Sequence, residues 1–116
     1  MANILLIEYA RDLLEVHRKY LRKEGHAVFT AATMDSALRA VQWGEFQVLV
    51  LGHKVPPRQR DILAATAKRL RPSARILLLY SNKIEEPFLA DASLDIGASM
   101  EELRRMVESL TALSKD

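Results

Sequence analysis

The sequence predicts an open α/β sheet, parallel and covered by helices on both faces, in a single domain spanning residues 1–116. Short apolar runs without period-two alternation recur along the chain, as they do in strands buried on both sides. Segments with apolar residues at helical spacing lie between those runs. Glycine or proline falls at the junctions.

The first run is Ile4-Leu5-Leu6-Ile7, and the helix after it carries Leu13, Leu14, His17 and Leu21 on one stripe, with Val16 and Tyr20 beside it. Gly25 ends that helix. His17 reads as a satisfied residue at the core edge, and His26, which opens the second run at 27–29, carries no functional signal. Thr33 or Asp35 can cap a second helix that buries Ala37, Leu38 and Val41 and stops at Gly44. The third run, 48–51, leads into Gly52-His53-Lys54-Val55-Pro56. A third helix presents Ile62, Leu63, Ala67 and Leu70 and stops before Pro72. The fourth run is 76–79 and the fifth, weaker, is 94–96. Pro87 interrupts the stretch between Ser81 and Ser93, so one short turn is expected there rather than a full helix. The last helix has Ser99 as its cap, Glu101 and Glu102 near its positive end, and the clearest stripe: Leu103, Met106, Val107, Leu110 and Leu113. In open sheets of this kind, chemistry sits at the carboxyl ends of the strands.

Composition excludes several classes. Hydrophobic residues make up 49% and charged residues 28% of 116 residues, enough for one ordinary core and unlike a disordered chain. Cysteine is absent, which rules out a disulfide scaffold, a thiolate nucleophile and cysteine-based zinc sites. No apolar run approaches the ~18 residues of a membrane span, and no signal-like segment opens the chain. A cytoplasmic location without membrane contact is expected.

The runs Asn3-Ile4-Leu5-Leu6-Ile7-Glu8 and Gln47-Val48-Leu49-Val50-Leu51-Gly52 resemble the receiver domain (CheY-like) of bacterial two-component response regulators. The resemblance covers residues 2 to about 113. It implies a flavodoxin-like, doubly wound, five-stranded parallel sheet in the order 2-1-3-4-5, here with a shortened fourth helix. It also implies a phosphoacceptor aspartate where this chain has Gly52. Of the two acids that hold magnesium in the family, Glu8 matches the first and Tyr9 replaces the second. Tyr80, with Ser81 beside it, stands at the hydroxyl position, Ile96 at the lysine and Ser93 at the switch aromatic, while Pro56 matches. The resemblance is therefore to a degenerate pseudo-receiver, inactive at Gly52 and expected to need no metal or cofactor. Phosphoryl transfer needs a nucleophile and positive charge on the phosphoryl oxygens, and one glutamate is a poor magnesium site.

Glu8, Tyr9, His53, Tyr80, Ser81 and Ile96 would share a degenerate pocket beside Gly52. A His–Glu cluster near a hydroxyl suggests acid–base or nucleophilic work, so a small enzyme or ligand-binding protein using Glu8, His53 and Tyr80 is one alternative. The plainer expectation is that Tyr9 and Tyr80 fill the vacated space and His53 is a solvated loop residue.

The net charge of +2 conceals an asymmetry. Residues 54–83 carry eight basic side chains against Asp61 alone, and residues 84–116 carry three against eight acidic ones. Lys54, Arg58, Arg60, Lys68, Arg69, Arg71 and Arg75 would form a basic interaction face for an acidic partner. A nucleic-acid role for segment 54–83 is a second alternative, ranked lower because no aromatic residue is interleaved with these cations. A weak homodimer through the fourth–fifth element edge, near Ile84, Phe88 and Leu89, is also expected. The reading that joins these features is a phosphorylation-independent protein–protein interaction module in signal transduction, not an enzyme, whose signalling partner the sequence does not name.

Overall fold

The computed structural model describes residues 2–81 and 90–113. Five strands, β1 (Asn3–Ile7), β2 (Ala27–Ala31), β3 (Val48–Leu51), β4 (Arg75–Tyr80) and β5 (Ala92–Asp95), form one parallel sheet in the order β2-β1-β3-β4-β5. Helices α1 (Arg11–Lys23), α2 (Met34–Trp43), α3 (Pro57–Leu70) and α4 (Met100–Leu113) cover it.

Alternate side chains of each central strand point to opposite faces, which gives two cores from one apolar run. Ile4, Leu6, Val48, Val50, Leu77 and Leu79 pack with Leu21 of α1 and with Leu103, Val107 and Leu110 of α4. Leu5, Ile7, Leu49, Leu51, Ile76 and Leu78 pack with Ala37 and Val41 of α2 and with Leu63, Ala64 and Ala67 of α3. The expected doubly wound, flavodoxin-like architecture is present.

Local signals place the helix ends. Thr33 Oγ1 accepts from the Ser36 N–H while the Thr33 N–H donates to Ser36 Oγ, a capping box that starts α2. Ser99, expected as the cap of the last helix, makes the same reciprocal pair with Glu102 at α4. Pro57 opens α3, where a missing N–H costs nothing. Gly25, at φ 97°, makes the turn out of α1 that a side chain would strain.

Three expectations shift. β5 spans Ala92–Asp95 rather than 94–96, because an edge strand that buries little carries no continuous apolar run. The buried face of α3 is Leu63, Ala64 and Ala67, and Ile62 and Leu70 lie outside it on the solvent side. The inner face is built partly from the small residues Ala64 and Ala67, so the larger apolar residues do not mark it. On α4, Leu113 is exposed while the other four stripe residues pack. The short turn expected around Pro87, and Ile84, Phe88 and Leu89 of the proposed dimer edge, lie outside the described residues.

One polar clamp fixes the far edge of the sheet. The Asp91 main chain donates to Ile76 O (2.9 Å), and its carboxylate accepts from the Ile76 N–H (2.7 Å). The same carboxylate pairs with Lys68 Nζ (3.0 Å) and Arg75 Nη1 (3.4 Å). Because the side chain is mostly buried and serves a backbone donor, Asp91→Ala should destabilise the fold by about 1–3 kcal/mol. Urea denaturation measures this, and an unchanged midpoint would show the clamp to be idle.

Candidate functional site

The carboxyl ends of β1 and β3 converge on Glu8 and Gly52. The Gly52 N–H donates to Ile7 O at 2.7 Å, which holds the two strand ends in register. Glu8 has no exposed surface. Its Oε2 accepts from the Ala10 N–H (3.1 Å), at the start of α1, and from the Lys54 N–H (3.2 Å), in the loop after β3. Its Oε1 faces His53 Nδ1 at 3.4 Å, and neither atom has a well-formed hydrogen bond among the described residues.

This carboxylate occupies the space that a side chain at position 52 would need. A Cβ built on Gly52 would lie 2.8 Å from Glu8 Cβ, with the carboxyl carbon and Oε1 closer still. The expectation that tyrosines fill the vacated pocket is therefore corrected, because the Glu8 side chain folds into it instead. Tyr9 turns away and donates through its hydroxyl to Gln59 Oε1 of α3 at 2.6 Å, and burial raises its pKa. Tyr80 is half-buried, with its main-chain carbonyl accepting from the Ile96 N–H at 2.7 Å. Ser81 is exposed, and Ile96 packs against the α1/α4 core. Of the residues expected to share one pocket, the structure brings Glu8, Gly52 and His53 into contact. Among the described residues, no hydrogen bond joins Tyr80 or Ser81 to them.

Two histidines need a different account from the one the sequence suggested. His53 is not solvated, since its side chain is only 15% exposed. His17 is buried, but its Nδ1 has no partner among the described residues, so it is not satisfied. It lines a small pocket with Leu79, Leu94, Asp95, Ile96, Ala98, Met100 and Leu103, within electrostatic reach of Glu8 and His53. Burial lowers its pKa, Glu8 opposes that shift and His53 adds to it. His26 accepts from the Ala2 N–H through Nδ1 and faces Glu108 with Nε2 at 3.8 Å, and its pKa too is lowered, chiefly by burial. Helical spacing put His17 on the inner stripe, but nothing in the sequence showed that its partner would be missing.

The donor set does not fit a magnesium ion. Magnesium asks for several hard oxygens in octahedral array. Here one carboxylate faces two N–H donors and an imidazole, and no second acid joins it. Among the described residues no group of three or more histidine, aspartate or glutamate side chains could hold a metal ion.

The basic face divides in two. Lys68 and Arg75 are drawn into the Asp91 clamp. The Arg71 guanidinium donates to the carbonyls of Val41 (2.6 Å) and Gln42 (3.4 Å) and lies 5.1 Å from the Phe46 ring centroid. Lys54, Arg58 and Arg69 are exposed, Arg60 is half-buried, and none of the four makes an ion pair among the described residues.

No family model and no curated protein matches the sequence. Solved structures do match in shape. The response regulator TrrA of Thermotoga maritima, solved with Mg2+ and beryllofluoride, superposes with a TM-score of 0.82 at 24% identity, covering 95% of this chain and 99% of its own. A CheY-like receiver domain from Methanospirillum hungatei gives 0.88 at 20% identity, covering 98% and 96%. The receiver domain of a Francisella response regulator gives 0.84 at 16%, covering 99% and 100%. The chain has the receiver fold. At these identities the likeness is one of fold, and within that receiver-like frame Glu8 and Gly52 lie at the carboxyl ends of adjacent strands.

Two outcomes follow from the geometry. Gly52→Ala forces a fully buried carboxylate to move and should destabilise the protein by about 1–3 kcal/mol, a cost that Glu8→Ala in the same chain should largely relieve. A double-mutant cycle in urea tests the coupling, and strict additivity would count against it. The lowered pKa values of His17 and His26 mean that the unfolded chain binds more protons as pH falls below the ordinary value of 6.5. Their effect on stability is thus small above that pH, and stability is lost below it. Denaturation midpoints should drop between about pH 7 and pH 5, and His17→Phe should lessen the drop. An identical pH profile for the variant would remove His17 from the account.

Proposed function

We propose that this chain is a phosphorylation-independent pseudo-receiver, a module that binds a signalling protein and catalyses nothing. The observation that carries the reading is the Glu8 carboxylate lying where a residue-52 side chain would project. A receiver operates by forming an acyl phosphate on a carboxylate at the end of β3. Here that position has no oxygen, and its space is taken by the fully buried side chain of Glu8. Tyr9 stands at the second acid position and is engaged with Gln59, while Ile96 offers an apolar side chain at the lysine position. Nucleophile, second acid and cation are missing together, which favours binding as the use of the fold.

The alternative of crevice chemistry has geometric support in the Glu8–His53 pair alone. A carboxylate can orient an imidazole, but a base also needs a substrate proton within reach, and this imidazole is mostly buried.

Incubation with acetyl phosphate and Mg2+ should leave the intact mass unchanged, and beryllofluoride should not alter the fluorescence. Gly52→Asp should also stay unlabelled, because Glu8, Tyr9 and Ile96 remain. A stoichiometric, hydroxylamine-labile phosphoryl group on either protein would overturn the reading.

A further inference from the structure

Trp43 is the only tryptophan in the chain, and it is 82% exposed at the last turn of α2. Leu70, at the last turn of α3, is 41% exposed. The Arg71 guanidinium joins the two turns, since it bonds to the Val41 and Gln42 carbonyls immediately before Trp43 and is itself the residue after Leu70. Both apolar side chains therefore flank one rigid junction. It lies at the amino-terminal end of the sheet, opposite Glu8 and Gly52.

Basic charge outweighs acidic charge at this junction, with Arg69 and Arg71 against Glu45. Arg69 is exposed without an ion pair among the described residues, and the charge of Arg71 meets carbonyls and the Phe46 ring rather than a carboxylate. Between Trp43 and Arg75 the sequence holds two acids, Glu45 beside the patch and Asp61 more than two helical turns from Leu70. An exposed tryptophan next to arginine is the composition of an interface anchor. Complementarity then selects a partner that brings carboxylates around an apolar side chain.

We infer that the α2–α3 junction, with Trp43 as anchor and Leu70, Arg69 and Arg71 around it, is a docking surface for an acidic segment of a partner protein that carries an apolar side chain. The inference rests on the interaction-module reading and adds the surface and the partner's chemistry. It places recognition away from the strand ends where receiver chemistry would occur.

Selection of a random displayed peptide library on the intact protein tests it. The enriched peptides should be rich in Asp and Glu around Leu, Phe or Trp. Synthetic copies of them should shift Trp43 emission to the blue. By anisotropy of a labelled copy, affinity should fall about tenfold or more in Trp43→Ala and in Arg69→Glu. It should stay unchanged in Arg58→Glu, at the other end of α3. Basic consensus peptides, or affinity that survives both Trp43→Ala and Arg69→Glu, would overturn the assignment. So would a blue shift with phosphatidylglycerol vesicles in place of peptides, which would make the surface a membrane contact, and so would a shift that grows with protein concentration alone, which would make it a contact between copies. Phosphoryl labelling would refute the module reading and leave the peptide result standing, so the two failures are distinguishable.

Discussion

A carboxylate with no exposed surface must be met by donors, and that requirement on Glu8 organises the end of the sheet around it. The Ala10 and Lys54 amides supply two hydrogen bonds and His53 stands beside the other oxygen, so the β1–α1 and β3–α3 connections are tied to one group. The arrangement works only because residue 52 has no Cβ. Glycine here is a packing requirement rather than a conformational one, since it is not among the positive-φ glycines. The absence of a side chain at 52 and the burial of the acid at 8 require each other.

How much of this was legible varies with how local the signal is. The three central strands and the four described helices follow from apolar runs and helical spacing, because burial on both faces leaves a dense record in the sequence. β5 left a poor record, being an edge strand built from Ala92, Ser93, Leu94 and Asp95. The inner face of α3 was misjudged because Ala64 and Ala67, which share it with Leu63, carry little hydrophobic signal. At the site, Gly52 and Glu8 stood out through the receiver resemblance, but the direction in which Glu8, Tyr9 and His53 turn is a rotamer outcome that no spacing encodes. The Asp91 clamp was invisible for a related reason: its partners, Lys68, Arg75 and Ile76, come from α3 and β4.

The same contrast between sequence and geometry holds for charge. Counting along the chain treats the cations of 54–83 as one face, yet geometry assigns Lys68 and Arg75 to the Asp91 clamp and Arg71 to the α2–α3 junction. A charge run in sequence sums groups that point in different directions, so its net value overstates any single surface. What remains exposed is divided between the ends of the molecule, with Lys54 and Arg58 near the Glu8 end and Arg69 in the last turn of α3.

That division bears on how such a fold can act without a chemical switch. At the Glu8 end, one carboxylate oxygen is held by the Ala10 and Lys54 amides, and rearranging that end would leave the buried carboxylate without its donors. An end stabilised in this way is poorly suited to a conformational change driven by a small ligand. At the other end the helix termini are joined by a single arginine, and the apolar residues next to it are exposed rather than packed. Binding there requires no rearrangement of the core, because the anchor is already presented on rigid helices and little ordering cost is left to meet. On the reading proposed above, recognition at this surface would leave the Glu8 end of the receiver fold undisturbed.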